Sequence, residues 1–472
     1  MCSLPDVCAC WSPDVFLAAL RIARPHQHAA YQATGAVKSR KPEPMSKGRG
    51  QASQKPSPLV CGKRRNFMFA QPKLTICVPS RNRQRYFQET IRSQLINLRT
   101  DVEYVFADNS DDAGIMNGFM QDILGDPRVK YLPSVDRVLS MVENWDRCVE
   151  AATGEFVCMI GDDDYADPDV ADLIARTQAE YAKVDVMVWS RLTYNWPGNR
   201  EKRCNVSVPL KTGVHKIPRA ALYREFFSWK GDKATPNMAF GFYHGAVSMQ
   251  VMNKIKGRFG GKYSEYPTVD FENVCKVLVT AEHLFYSERP FSVLGSCAES
   301  NSAKLTQLAN AKERNALFMS ESGRNIDEDP HMKAFPFPSI LGLAACIAQV
   351  QNWFLTTYGY KPIAGWEANF AKACGLSCSM MDDRAAYETI ADGYRAVFAR
   401  WKGGKYLKDF KPVDYIHRPD TGFFTGISDD MLLMDEEIGG VETPMELYQL
   451  VEQVVAPMHE LTFKSHETFK AA

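Results

Sequence analysis

The stretch FVCMIGDDDYADPD, residues 156–169, runs five mostly apolar residues into three consecutive carboxylates, Asp162, Asp163 and Asp164. An exposed acidic patch needs no apolar lead-in, and a buried strand does not tolerate unpaired charge. The pattern is that of a strand that ends where the acids begin. The acids then stand at its carboxyl edge, where open α/β sheets place ligands. Three acids at one tip repel one another unless something positive joins them, and a divalent metal is the obvious candidate. A second apolar run, VEYVFADNSDD, also closes on acids, with Asp108 at its tip. In a parallel sheet both tips lie on one edge. A cation held by one or two carboxylates, with room for substrate phosphates, is the usual arrangement for magnesium or manganese. The first strand brings Pro79, Ser80, Arg81, Asn82 and Arg83 to the same edge. That loop could hold a nucleotide through backbone groups, with its two arginines facing phosphate or solvent.

The elements that must position these residues alternate. Leu74 to Val78 reads as a buried strand ended by Pro79, and Phe87, Ile91, Leu95 and Leu98 then recur at helical spacing. VKYL, residues 129–132, is a third short strand. Val138, Met141, Val142, Trp145, Cys148, Val149 and Ala152 share one helical face, and Gly154 caps that helix. After the acids come a helix (Val170, Leu173, Ile174, Thr177, Tyr181) and the strand VDVMVW, residues 184–189. Alternation of this kind indicates an α/β fold with a mostly parallel, Rossmann-like sheet sandwiched by helices. Residues 241–300 add short strands and a helix around Phe271 to Val279. From about 302 the chain reads as helical, with no further acids at strand tips.

The chain has 472 residues, 45% of them hydrophobic and 24% charged, with equal numbers of acidic and basic side chains. Zero net charge argues against a nucleic-acid partner. The thirteen cysteines include Cys77, Cys148, Cys158 and Cys275 inside apolar stretches, where cysteine acts as a small core residue in a reducing compartment. The longest apolar run, Ile340 to Ala348, is too short to span a bilayer. The apolar piece Val15 to Ala23 lacks the basic start of a signal peptide. A cytoplasmic protein with at most peripheral membrane contact is expected. Residues 36–65 are too polar to fold, so 1–70 reads as a disordered leader with Met45 or Met68 as alternative starts. The expected division is 1–70, 71–301 and 302–472.

From Lys73 to Asn301 the sequence resembles the family-2 glycosyltransferases of GT-A fold. TICVPSRNR is similar to that family's first strand and Pro-x-x-Asn-Arg loop, and FADNSDD to its second strand with the nucleotide-binding aspartate, Asp108. NWDRCVEAATGEFVCMIGDDDYADPD resembles the run from Asn144 to the metal motif. FYHGAVS, with His244, looks like the donor-sugar loop, and TVDFENVCKVL like the segment of the catalytic base. The family often reads Asp-x-Asp-Asp at the metal, and Gly161 stands here at the first position, although Asp162-Asp163-Asp164 itself contains Asp-x-Asp.

The resemblance implies an inverting, Mn²⁺- or Mg²⁺-dependent enzyme. It would use a nucleotide-sugar donor, a UDP-sugar for preference, and a carbohydrate or lipid-linked acceptor in surface-polysaccharide assembly. It places the nucleotide on Pro79, Ser80, Asn82, Arg83, Asp108, Asn144, Asp162 and Asp163, the sugar near His244, and the metal on Asp162 and Asp164. The base is Asp270, with Glu272 as rival. Each residue also has a plain reading: Asp108 as a turn residue, Asn144 and His244 as ordinary polar partners, Asp270 as a helix cap. A nucleotidyltransferase is the alternative enzyme, against which stands the glycine-free loop after the first strand. An RNA-polymerase palm fits GDD but not the neutral charge or the alternation, and a scaffold without activity fits poorly with acids at both tips. A chain starting at Met68 is expected to melt at the same temperature as the full chain; a large loss would show that the leader packs on the domain.

Overall fold

The computed structural model describes residues 71–197, 204–300, 307–322, 324–415, 425–436 and 440–464. The leader, with Met45 and Met68, lies outside them. The chain runs β1 (Leu74–Ser80), α1 (Gln84–Leu95), β2 (Val102–Asp108), α2 (Ala113–Met120), β3 (Val129–Leu132), α3 (Met141–Ala151), β4 (Phe156–Met159), β5 (Tyr165–Ala166), α4 (Val170–Tyr181) and β6 (Val186–Asn195). It continues with β7 (Cys204–Pro209), β8 (Gly213–Ile217), α5 (Arg219–Ser228), β9 (Gly245–Ser248), α6 (Met249–Arg258), α7 (Val269–Thr280) and β10 (Leu284–Ser296). Beyond 302 come α8 (Leu308–Ser322), α9 (Leu343–Thr357), α10 (Trp366–Cys378), α11 (Arg384–Arg400), β11 (Gly426–Ser428), β12 (Met431–Glu436), α12 (Pro444–Glu452) and β13 (Thr462–Lys464).

Strands β3, β2, β1 and β4 lie side by side and parallel. β9 runs antiparallel between β4 and β6, and β10 is parallel to β6. This is the expected α/β sandwich, with a mostly parallel sheet between helices and a helical carboxyl-terminal region. The unbroken apolar runs follow from burial on both faces. Leu74, Ile76 and Val78 of β1 join Phe87 and Ile91 of α1 on one side, while Cys77 joins Cys148 and Val149 of α3 on the other. The second core continues without a break into α9, α10 and α11 through Phe354, Phe370 and Phe398. The four cysteines expected in the core are buried and free. Among the described residues no helix is long and apolar enough to cross a membrane.

Several local readings change. Pro79 does not end β1, which continues to Ser80 opposite Ala107 and Asp108. β4 pairs with β1 only as far as Cys77, so the donor that proline lacks is not needed on that side. Leu98 lies past the end of α1 and is 84% exposed, and Val138 is 45% exposed. The helix expected from Val138 starts at Met141, because Ser140 and Glu143 form a reciprocal capping box there. Gly154 is not its cap. α3 is closed by Ala152, whose N–H reaches the Cys148 and Val149 carbonyls. A Cβ on Gly154 would lie 2.8 Å from the Thr75 backbone nitrogen, so this glycine permits close approach to β1. The region after 302 also carries strands: β12 pairs with β7, and β13 adds to β8 at the edge of the main sheet.

Gly154→Ala is expected to cost about 1–3 kcal/mol, the usual range for forcing a methyl into filled space; thermal melting measures it.

Candidate active site

The tips of β1, β2 and β4 meet at one edge of the sheet. After β4, Ile160 and Gly161 lead to Asp162, Asp163 and Asp164, all three buried. The Ser80 hydroxyl, from the end of β1, donates to Asp162 Oδ2 at 2.6 Å. Arg83 Nη2 pairs with Asp162 Oδ1 at 2.5 Å and Arg83 Nη1 with Asp163 Oδ1 at 3.5 Å. Asp163 Oδ2 accepts from the Ser300 hydroxyl at 2.5 Å and the Cys297 N–H at 3.1 Å. Asp164 Oδ1 accepts from the Gly295 N–H at 2.6 Å. Its Oδ2 takes the Gly161 N–H at 2.6 Å, His244 Nε2 at 2.8 Å and the Tyr243 hydroxyl at 3.0 Å. The Thr90 hydroxyl of α1 reaches the Asp162 and Asp164 carbonyls, and Trp196 Nε1 the Asp163 carbonyl at 2.8 Å. β10 approaches so closely that a Cβ on Gly295 would lie 1.7 Å from the Asp163 carbonyl oxygen.

These surroundings separate the three acids. Burial pushes Asp162 up to about 7, against the pull of Arg83 and with help from Asp163. Burial acts in the same sense on Asp164, but His244 and the Gly161 and Gly295 amides hold it below the usual carboxylate range. Four of the six carboxylate oxygens are held by backbone N–H groups or short side chains. The other two, Asp162 Oδ1 and Asp163 Oδ1, face Arg83. Asp162 Oδ1 is buried and makes no well-formed hydrogen bond among the described residues. No three His, Cys, Asp or Glu side chains converge as a metal cluster among the described residues. What the donor set offers a hard cation is these two oxygens, the small protein share that magnesium and manganese take when substrate phosphates complete the shell.

The loop after β1 is tied to the loop after β2. Asn82, at φ 55°, exchanges side-chain hydrogen bonds with Asp111. Arg81 reaches the Asn109 carbonyl at 2.8 Å and Glu321 of α8 at 2.8 Å. Asp108 is fully buried; Oδ1 accepts from Ser110 N–H and hydroxyl, and Oδ2 from the Ser134 hydroxyl at 2.9 Å. Asn144 of α3 lies beneath the Ser80 carbonyl and accepts from Arg147 Nε at 2.8 Å. His244 is fully buried, with its second ring nitrogen 2.9 Å from the Ser292 hydroxyl, so it supports Asp164 from inside the fold.

Asp270 is the second residue of α7, half-buried, and burial pushes its carboxyl up to about 6 against nearby amides and Arg191. Its charge is felt at Tyr243, whose phenol is pushed well above its usual range by burial first and then by Asp164, Asp163 and Asp270. Glu272 is elsewhere. It has no exposure, takes the Glu265 and Tyr266 N–H groups at 2.8 Å each, and pairs with buried Lys276 at 2.6 Å. Sequence reasoning misses Thr90, Arg147, Tyr243, Gly295 and Ser300. Tyr243 adjoins His244 and was in reach of the FYHG pattern; Ser300 lies 137 residues from Asp163 and carries no local signal.

Residues 75–243 match the sequence profile described as Glycosyl transferase family 2. No curated protein matches the chain in sequence. Among solved structures it is similar to S. aureus TarS 1-349 in complex with UDP-GlcNAc, at 15% identity and TM-score 0.38 over 72% of this chain and 89% of that one. It is also similar to the mannosyltransferase PcManGT from Pyrobaculum calidifontis in complex with GDP-Man and Mn2+, at 13% identity and TM-score 0.34 over 72% of this chain and 85% of that one.

Glu272→Gln removes the nearer counter-charge of buried Lys276, at 2.6 Å, and leaves it the half-buried Glu265 at 3.6 Å. A loss of at most about 3–5 kcal/mol is expected, the range for one partner removed from a buried pair. Normal melting with lost turnover would instead put Glu272 in the reaction.

Proposed function

We propose, from the match of residues 75–243 to the profile of glycosyl transferase family 2, that the chain moves a sugar from a nucleotide-sugar donor to an acceptor hydroxyl, with inversion. The observation that carries this is the joining of three strand tips into one unit: Ser80 at the end of β1 and Arg83 just after it hold Asp162 after β4, and Ser80 stands opposite buried Asp108 at the end of β2. The nucleoside lies on Asp108 and the Pro79–Arg83 loop, with Asn144 beneath it. A divalent cation, manganese or magnesium, is held by Asp162 and Asp163, because both oxygens of Asp164 are taken by fixed donors. When bound it supplies positive charge against the departing diphosphate.

Asp270 is the general base. Its half-buried position at a helix start keeps it reachable, and a pKa near 6 makes it a stronger base than a free aspartate while leaving it ionised at neutral pH. One displacement assisted by one base inverts the anomeric centre. The region 71–301 carries the donor site in this reading, and 302–472 shapes the acceptor side, reaching the donor loop through Glu321. A carbohydrate or lipid-linked acceptor of surface-polysaccharide assembly, met in the cytoplasm or at a membrane face, fits this arrangement. The test is a screen of UDP- and GDP-sugars for release of free nucleoside diphosphate, with and without manganese. Release of pyrophosphate from a sugar phosphate and a nucleoside triphosphate would mark a nucleotidyltransferase instead.

Asp270→Asn is expected to lower turnover by about two to four orders of magnitude, the range for lost general-base help. In the parent enzyme kcat is expected to fall as pH drops through about 6. Stability has the opposite sign. A carboxyl with a raised folded pKa holds its proton longer folded than unfolded, so ionising it between about pH 4 and 6 costs stability. The asparagine variant is therefore expected to be the more stable protein at pH 7, by at most about 3 kcal/mol. Equal melting temperatures would show that Asp270 is not held in this environment.

A further inference from the structure

Two carboxylate oxygens at the tip of β4 depend on one movable side chain. Asp162 is fully buried, yet its Oδ1 has no hydrogen bond of good geometry among the described residues and only the Arg83 guanidinium as partner, at 2.5 Å. Asp163 Oδ1 faces the same guanidinium at 3.5 Å. The other four oxygens of the cluster are held by groups that cannot leave: three backbone N–H groups, two serines, Tyr243 and His244. Arg83 differs from all of these. It sits at the N-cap of α1 on a long stem, its side chain remains 19% exposed, and among the described residues it is otherwise held by long contacts to Cys297 Sγ at 3.7 Å and Ser300 Oγ at 3.4 Å.

A cation on these two oxygens and the guanidinium cannot share one place. We propose that Arg83 is an exchangeable counter-charge. It holds Asp162 and Asp163 together in the absence of donor, yields them to the divalent cation, and then turns its fork to the donor's diphosphate. This rests on the donor reading given above. A guanidinium matches phosphate with the same planar fork that matches carboxylate, so the arm finds an equivalent partner after it leaves. In neither state is a buried carboxylate left uncompensated, which is the costly condition. Cation and diphosphate each remove Arg83's alternative, so each must favour the other's binding.

Calorimetric titration of manganese chloride alone, and of UDP and GDP at saturating manganese, tests this on the full chain. Arg83→Gln is expected to bind manganese alone about tenfold or more tightly than the parent, and the nucleoside diphosphate about tenfold or more weakly, the scale of one lost charged hydrogen bond. Arg83→Lys, which keeps the charge without the fork, is expected to fall between them, and it provides the same readout if Arg83→Gln does not fold. Unchanged manganese affinity in both variants, with the parent binding nucleotide, overturns the exchange and makes Arg83 a fixed structural pair. A parent chain that binds neither UDP nor GDP with manganese overturns the donor reading and the exchange with it.

Discussion

Three like charges at the end of one buried strand are the constraint on which the rest of the site depends. Carboxylates this close cannot all be ionised in a dry environment without donors aimed at them. The structure meets the constraint unequally. Asp164 receives donors from the turn before it, from the FYHG segment and from β10, and is held ionised. Asp162 receives one serine and one arginine, and burial lifts it towards neutrality. The crowding is thus resolved into one anchored carboxylate and one easily altered one, and the altered one faces the loop after β1.

The helical region does related work further out. Phe354, Phe370 and Phe398 extend the core that begins under β1 and β4, so α7 is clamped between sheet and helices. Within that clamp Glu272 and Lys276 neutralise each other, and Glu272 pins the turn at Glu265 and Tyr266 that leads into Asp270. Two acids on one helix, two residues apart, therefore take opposite tasks. The outward-leaning one keeps a perturbed, half-buried carboxyl, and the inward one is locked in an ion pair.

Much of the fold is legible in the sequence because strands buried on both faces leave unbroken apolar runs, as in Leu74–Val78 and Phe156–Met159. The alternation with amphipathic helices then fixes the class. Errors fall where a local rule competes with tertiary context. Pro79 reads as a terminator, yet β1 runs past it because the neighbouring strand has already ended. Gly154 reads as a cap, yet it is a point of contact. At the site the acids announce themselves by type and spacing. Their donors do not: Gly295, Cys297 and Ser300 come from a strand and turn more than a hundred residues away. Nor could spacing show that His244 would be enclosed with both ring nitrogens engaged.

The long reach between the acids and their donors also bears on how the chain is made. Asp162, Asp163 and Asp164 leave the ribosome well before β10 and the turn at Cys297 and Ser300 exist. When they emerge β4 can pair with β1, but of the groups that hold its tip among the described residues Ser80, Arg83, Thr90 and Gly161 have been made, and Trp196, Tyr243 and His244 follow before β10. The tip is therefore completed in stages, and its last donors follow some 130 residues of synthesis later, on the order of ten seconds at common elongation rates. A strand tip short of its donors is prone to misassembly, and β10 passing over Asp163 supplies the donors that are missing until then.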